Sequence, residues 1–141
     1  MNMKNSLLRL NCLLAIAGAI CSCSVDMDAR DKGASYTHVS VQELLQHKDR
    51  LNGSMVQVEG YSSMRFTLVL FASKAEMDGK SIPAFLTVAG AIDPFSFEAC
   101  AGRNVRVLGK FEVQYTDSPV IMAQRIESID GVEGTCWTSG Q

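Results

Sequence analysis

The chain has 141 residues, a formal net charge of −2, 47% hydrophobic and 20% charged residues, and five cysteines. One domain is the expectation at this length, and the balance of apolar and charged residues excludes a disordered or collagen-like chain. The near-neutral charge argues against a dedicated nucleic-acid binder, and five cysteines leave one thiol over if the others pair.

Residues 1–22 read as a secretory signal peptide. Lys4 and Arg9 supply a positive start, and Cys12 to Ile20 is an uninterrupted apolar run. That run is shorter than the roughly 20 apolar residues a membrane span needs. It ends in Ile20-Cys21-Ser22-Cys23. This segment resembles a bacterial lipobox, with an aliphatic residue at −3, a small one at −1 and then the cysteine to be lipidated. Cys21 fits less well, because Ile20 would occupy −1. The resemblance implies cleavage before Cys23, lipidation (palmitate among the acyl groups) of that residue, and a protein anchored to the membrane rather than spanning it. Ser24, a residue other than aspartate, points by the same resemblance to the outer membrane, facing the periplasm. The alternative is ordinary signal-peptidase cleavage nearby, giving a soluble periplasmic protein.

Cleavage before Cys23 would take Lys4 and Arg9 from the 13 basic residues and leave all 15 acidic ones, moving the net charge from −2 to −4. It would also remove Cys12 and Cys21. With Cys23 capped by lipid, Cys100 and Cys136 remain, and in an oxidising periplasm they are expected to form a disulfide. Two free buried thiols are the alternative.

Residues 23–37 are expected to be the lipidated N-terminus and a polar tether, residues 38–130 the folded domain, and residues 131–141 a tail pinned by the disulfide, with Trp137 packed on the barrel. Ser40-Val41-Gln42-Glu43 has capping-box spacing and opens a short amphipathic helix that Asn52-Gly53 ends. Alternation then predicts a strand over 55–61, a second over Phe66 to Ser73, a turn over 76–80 and a third strand over Pro83 to Gly90. Asp93-Pro94 is a helix start, with Phe97 and Cys100 on one face and Gly102 at the end. Asn104 to Val113 reads as the fourth strand, Asp117-Ser118-Pro119 as a turn, and Val120 to Ile129 as the fifth strand.

Val56-x-Val58-x-Gly60 is echoed by Val105-x-Val107-x-Gly109. A glycine late in a strand lets a small barrel bend where a side chain would clash. The β-β-β-α-β-β order, these two segments, the longer Gly102 to Phe111 pattern and the closing Arg125 to Ile129 resemble an OB-fold over roughly residues 53–130. The similarity is to anticodon-binding-type OB domains, and more nearly to small secreted bacterial OB-fold proteins of unassigned function. The resemblance implies a mainly β, five-stranded OB-fold-like barrel with one inter-strand helix after strand 3 and a short N-terminal helix. Another small barrel or meander with one helix is the alternative.

OB-folds commonly bind ligands on the strand 2–3 face and adjacent loops. That focuses attention on Tyr61, Phe66, Val69, Phe71, Phe85 and Tyr115 as a candidate binding face. The second and third strands contain no Lys or Arg, so nucleic acid is not an expected partner. Both strands are apolar on both faces, and a barrel interior takes only one set. The other set must be covered by the N-terminal helix, the tail or a partner.

No catalytic or metal motif is present in residues 23–141. His38 and His47 lack ligands at metal spacing. Met55, Met64, Met77 and Met122 form no copper-type cluster and read as core filling. Glu59, Glu112 and Asp117 could serve hydrolysis only if the fold gathered them. No cofactor and no enzymatic activity are expected. The partners implied are the membrane, through the lipid anchor, and a protein or other envelope component; a small molecule or oligosaccharide on the same barrel face is the alternative.

Overall fold

The computed structural model describes residues 35–79, 84–131 and 134–140. The segment expected to hold the signal peptide and lipobox, including Cys23, lies outside the described residues. Thr37–Ser40 forms β1, Val41–Gln46 α1, Lys48–Leu51 α2, Met55–Met64 β2, Leu68–Phe71 β3 and Lys74–Met77 α3. Leu86–Ala89 forms β4, and Pro94–Cys100 follows as a 3₁₀ helix. Asn104–Val113 is β5, Pro119–Ser128 β6 and Gly134–Thr138 β7.

Five strands close a ring in the order β2-β3-β4-β6-β5 and back to β2. The β4–β6 pairing is parallel and the other four are antiparallel. With the 3₁₀ helix between the third and fourth barrel strands, this is the OB-like barrel expected from the sequence.

Two strands lie outside the ring: β1, which starts at the last residue of the predicted tether and runs into the first residues of the predicted domain, where no strand is expected, and β7, which lies in the predicted tail. Their positions follow from unequal strand lengths. β2 has ten residues and β3 only four, so β3 covers only Tyr61 to Met64 of that edge. β1 runs parallel along the remaining part, pairing Thr37 with Val56 through Ser40 with Glu59. On the long β6, β4 takes Val120 to Met122 and β7 takes Arg125 to Ser128. Each added strand satisfies backbone groups that a bare edge would leave unpaired. The folded part therefore begins before His38: Thr37 is in the sheet, and the Tyr36 hydroxyl donates to the Gln124 side chain at 2.8 Å.

The capping box forms as predicted. The Glu43 amide donates to Ser40 Oγ at 3.1 Å, and the Ser40 amide donates to Glu43 Oε2 at 2.8 Å. The helix breaks at His47 and resumes as α2, burying Val41, Leu44 and Leu51. The predicted turn over 76–80 is in part α3, capped by Ser73, whose spacing to Glu76 repeats that of Ser40 to Glu43. β2 runs three residues beyond the predicted strand. β3 is shorter than predicted because Phe66 sits on a tight turn in which the Arg65 amide donates to Thr67 O.

Asp93 caps the inter-strand helix by accepting from the Phe95 amide at 3.0 Å, and Pro94 takes its first position. The helix is 3₁₀ rather than α. Its three-residue turn suits the i, i+3 spacing of Phe97 and Cys100, which are both buried. Ser62 of β2 ties this helix to the barrel: its buried hydroxyl lies 2.5 Å from Cys100 O and 2.8 Å from Arg103 O.

Two carboxylates are held below their ordinary range by hydrogen bonds. Glu43 accepts from the Ser40 backbone and hydroxyl, and Asp130 accepts from the Asn104 side chain and backbone. A carboxylate with a lowered folded pKa adds stability that is present above its unfolded value and lost as pH falls through the folded one. The urea midpoint should therefore hold from neutrality down to the ordinary carboxylate range and fall below it. A Glu43→Gln/Asp130→Asn variant should start lower at pH 7 and decline less steeply in acid. Parallel acid profiles for the two proteins would refute this assignment.

Candidate functional site

β3 is buried on both faces. Leu68 and Leu70 belong to the interior core, together with Val56, Val58, Phe111 and Ile121. Val69 and Phe71 point the other way, yet they are only 3% and 0% exposed. Their cover comes from within the chain, and over Phe71 it includes Phe85 and Arg65 rather than the N-terminal helix or tail alone. The Phe85 ring lies 5.9 Å from Phe71 at 58°, and the Arg65 guanidinium lies 5.5 Å from the Phe71 centroid and 5.6 Å from that of Phe85. A cation so placed is attracted by the negative ring faces, an effect of about 0.5–2 kcal/mol.

This arrangement changes the candidate face. Tyr61 is half-buried and is the cross-strand neighbour of Phe71. Phe85 is 37% exposed. Val69 and Phe71 lie beneath the surface, so neither presents itself to a ligand. Phe66 is fully exposed at the β2–β3 turn rather than within β3. Tyr115, also fully exposed, stands on the β5–β6 turn and shares no ring contact with the others among the described residues. The six residues thus divide into Phe71 and Phe85 under Arg65, Tyr61 beside Phe71, a buried Val69, and two exposed residues on turns, Phe66 and Tyr115.

The three candidate carboxylates are likewise dispersed. Glu59 pairs with Arg106 at 2.8 Å, Glu112 with Lys110 at 2.9 Å, and Asp117 with Lys48. Glu59, Arg106 and Glu127 are cross-strand neighbours on β2, β5 and β6, so opposite charges alternate across three strands. His38 and His47 are both exposed, and no group of three or more potential metal-ligating His, Cys, Asp or Glu side chains occurs among the described residues. Met55, Met64, Met77 and Met122 are all half-buried, and of these Met64 packs against the core.

No protein-family model and no curated protein matches this chain. The OB-like fold accordingly rests on strand order, the parallel β4–β6 pairing and the position of the 3₁₀ helix.

Cys100 and Cys136 form a disulfide, with Cα atoms 5.4 Å apart. Beside it, Trp137 meets the buried Phe97 edge to face at 4.8 Å. Ile126 pairs with Trp137 and Glu127 with Thr135, which leaves Cys136 as an extra, bulged residue in β7. In a regular strand, neighbouring side chains point to opposite faces. The bulge re-aims one of them, so that both Cys136 and Trp137 reach the 3₁₀ helix.

Sequence pattern gives no sign of Arg65 as a covering residue, nor of the exposure of Ile92 and Phe95. Arg65 lies in a flanking loop, where its reach over two rings leaves no periodic signal. Ile92 directly precedes the Asp93 cap, a position whose apolar side chain often packs back on the helix. Here it does not: Ile92 and Phe95 stand fully and 73% exposed.

Proposed function

We propose that this chain is a lipid-anchored lipoprotein of the bacterial cell envelope, facing the periplasm from the outer membrane. Its barrel has a non-enzymatic binding or structural role toward a protein or other envelope component. The observation that carries the reading is Ile20-Cys21-Ser22-Cys23 at the end of an apolar run that follows Lys4 and Arg9. The Cys100–Cys136 disulfide supports it, because such bonds persist in oxidising compartments. The dispersal of Glu59, Glu112 and Asp117 onto separate cations supports a binding role over hydrolysis. An exposed cluster of Tyr61, Phe71 and Tyr115 with polar neighbours would favour an oligosaccharide. With Phe71 buried and Tyr115 on another turn, a protein or envelope component is the better-supported partner.

Metabolic labelling with radioactive palmitate tests the anchor. The full chain expressed in a bacterial host should take up label; Cys23→Ala should abolish it and Cys21→Ala should not. A chain that stays unlabelled, or a Cys23→Ala variant that keeps its label, would overturn the reading.

A further inference from the structure

Three of the exposed large apolar side chains share one end of the barrel. Phe66 tips the β2–β3 turn, and Ile92 and Phe95 lie where β4 runs into the 3₁₀ helix. The Thr67 hydroxyl donates to Val88 O at 3.0 Å, binding that turn to the end of β4. Ser62, near the end of β2, lies against Cys100 O, so the same barrel end is closed by the 3₁₀ helix. Phe66 and Ile92 are fully exposed and Phe95 nearly so. These are projecting tips, not the walls of a groove. Phe97, four residues beyond the Asp93 cap, is the local partner that Ile92 would ordinarily meet. Phe97 instead faces Trp137.

We propose that this end of the barrel seats in a phospholipid surface, with Phe66, Ile92 and Phe95 entering the headgroup boundary. The inference rests on the lipid-anchor reading above, which places a bilayer within reach. The contour length of residues 24–35 is about 40 Å. The chain enters the barrel at Thr37, opposite Val56 near the start of β2, and the ten residues of β2 cover about 33 Å. The linker is therefore long enough to bring the far end of the barrel down to the bilayer. Three apolar tips bind a membrane weakly alone, but a covalent anchor keeps them at high local concentration, where a weak second contact is enough.

The test uses tryptophan quenching on the full chain, purified from membranes and reconstituted into phosphatidylethanolamine/phosphatidylglycerol vesicles whose acyl chains are brominated. In a Trp137→Phe background, Phe66→Trp and Phe95→Trp should lose at least half their emission, whereas Tyr115→Trp, on the opposite end, should be unaffected. Equal quenching of all three, or none, overturns the proposal. So does a blue shift that depends on protein concentration without quenching, which would mean docking of a second copy. Hydrogen exchange on the unsubstituted chain gives an independent reading: amides 65–67, 91–93 and 95 should slow on vesicles while those of 114–117 do not, and the reverse or a uniform change overturns the contact. The mass of the Cys23 peptide from the same sample reports the anchor separately. An acylated chain without quenching defeats the membrane contact alone, and a chain without acyl groups defeats the anchor.

Discussion

Removing the disulfide with Cys100→Ala/Cys136→Ala is expected to lower the unfolding free energy by about 4 kcal/mol. The cysteines are 36 residues apart, and closing a loop of that length restricts the unfolded chain by this amount on the chain-entropy model. The effect should be uneven across the fold. β7 is held by one bulged antiparallel pairing to β6 and by Trp137 against Phe97. The ring of β2, β3, β4, β6 and β5 closes without it. Loss of the bond should therefore free β7 before the barrel opens. Trp137, the chain's sole tryptophan, reports this directly. Its near-ultraviolet dichroism should fade at a lower urea concentration than the far-ultraviolet signal of the barrel, whereas in the oxidised protein the two should move together. Non-reducing mass spectrometry of the wild-type protein should show a two-proton deficit. A stability change below about 1 kcal/mol would mean that the β6–β7 ladder holds itself and the chain-entropy account fails.

What could be read from the sequence, and what could not, divides along physical lines. Features set by neighbouring residues were legible. The Ser40–Glu43 box, the Asp93-Pro94 helix start and the strand from Asn104 to Val113 each depend on local hydrogen bonding or on alternation within one segment. β1 and β7 were not legible, because nothing within either segment demands a strand. They form because β3 and β4 are too short to cover the long edges of β2 and β6. The doubly apolar character of the second barrel strand was visible in Val69 and Phe71. That Arg65 and Phe85 would lie over Phe71 depends on a side chain reaching back across a turn. The pairing of Cys100 with Cys136 could be expected from redox chemistry. The bulge that aims Cys136 at the 3₁₀ helix exists only in the register between two strands. The candidate face was the least legible, since exposure is a property of the assembled barrel.

Gly109→Ala should cost about 3 kcal/mol, at the upper end of what overpacking usually does. A Cβ at this position would stand 2.3 Å from Met122 O and 2.9 Å from Ala123 Cα. Both are backbone atoms of the neighbouring strand and cannot rotate away. The closeness has a structural origin. Leu108 pairs with Arg125 and Gly109 with Ala123, so Gln124 is an extra residue bulged out of β6. The bulge sharpens the local twist and draws β5 and β6 together where the barrel must curve. Gly60 plays the matching part on β2, where a Cβ would lie 2.4 Å from Phe71 O and 2.9 Å from the Leu70 side chain. Gly60→Ala should be nearly as damaging, since Leu70 can yield but the carbonyl cannot. Gly53 separates steric conflict from backbone strain. It adopts φ +83°, and a Cβ there would meet nothing within 4 Å, so Gly53→Ala incurs only the left-handed penalty of about 1–2 kcal/mol. Urea unfolding of the three variants should thus rank Gly109 and Gly60 above Gly53. Equal losses would show that backbone conformation, not close approach of strands, is what these glycines provide. The two V-x-V-x-G segments would then mark ordinary strand ends instead of the points where the barrel closes.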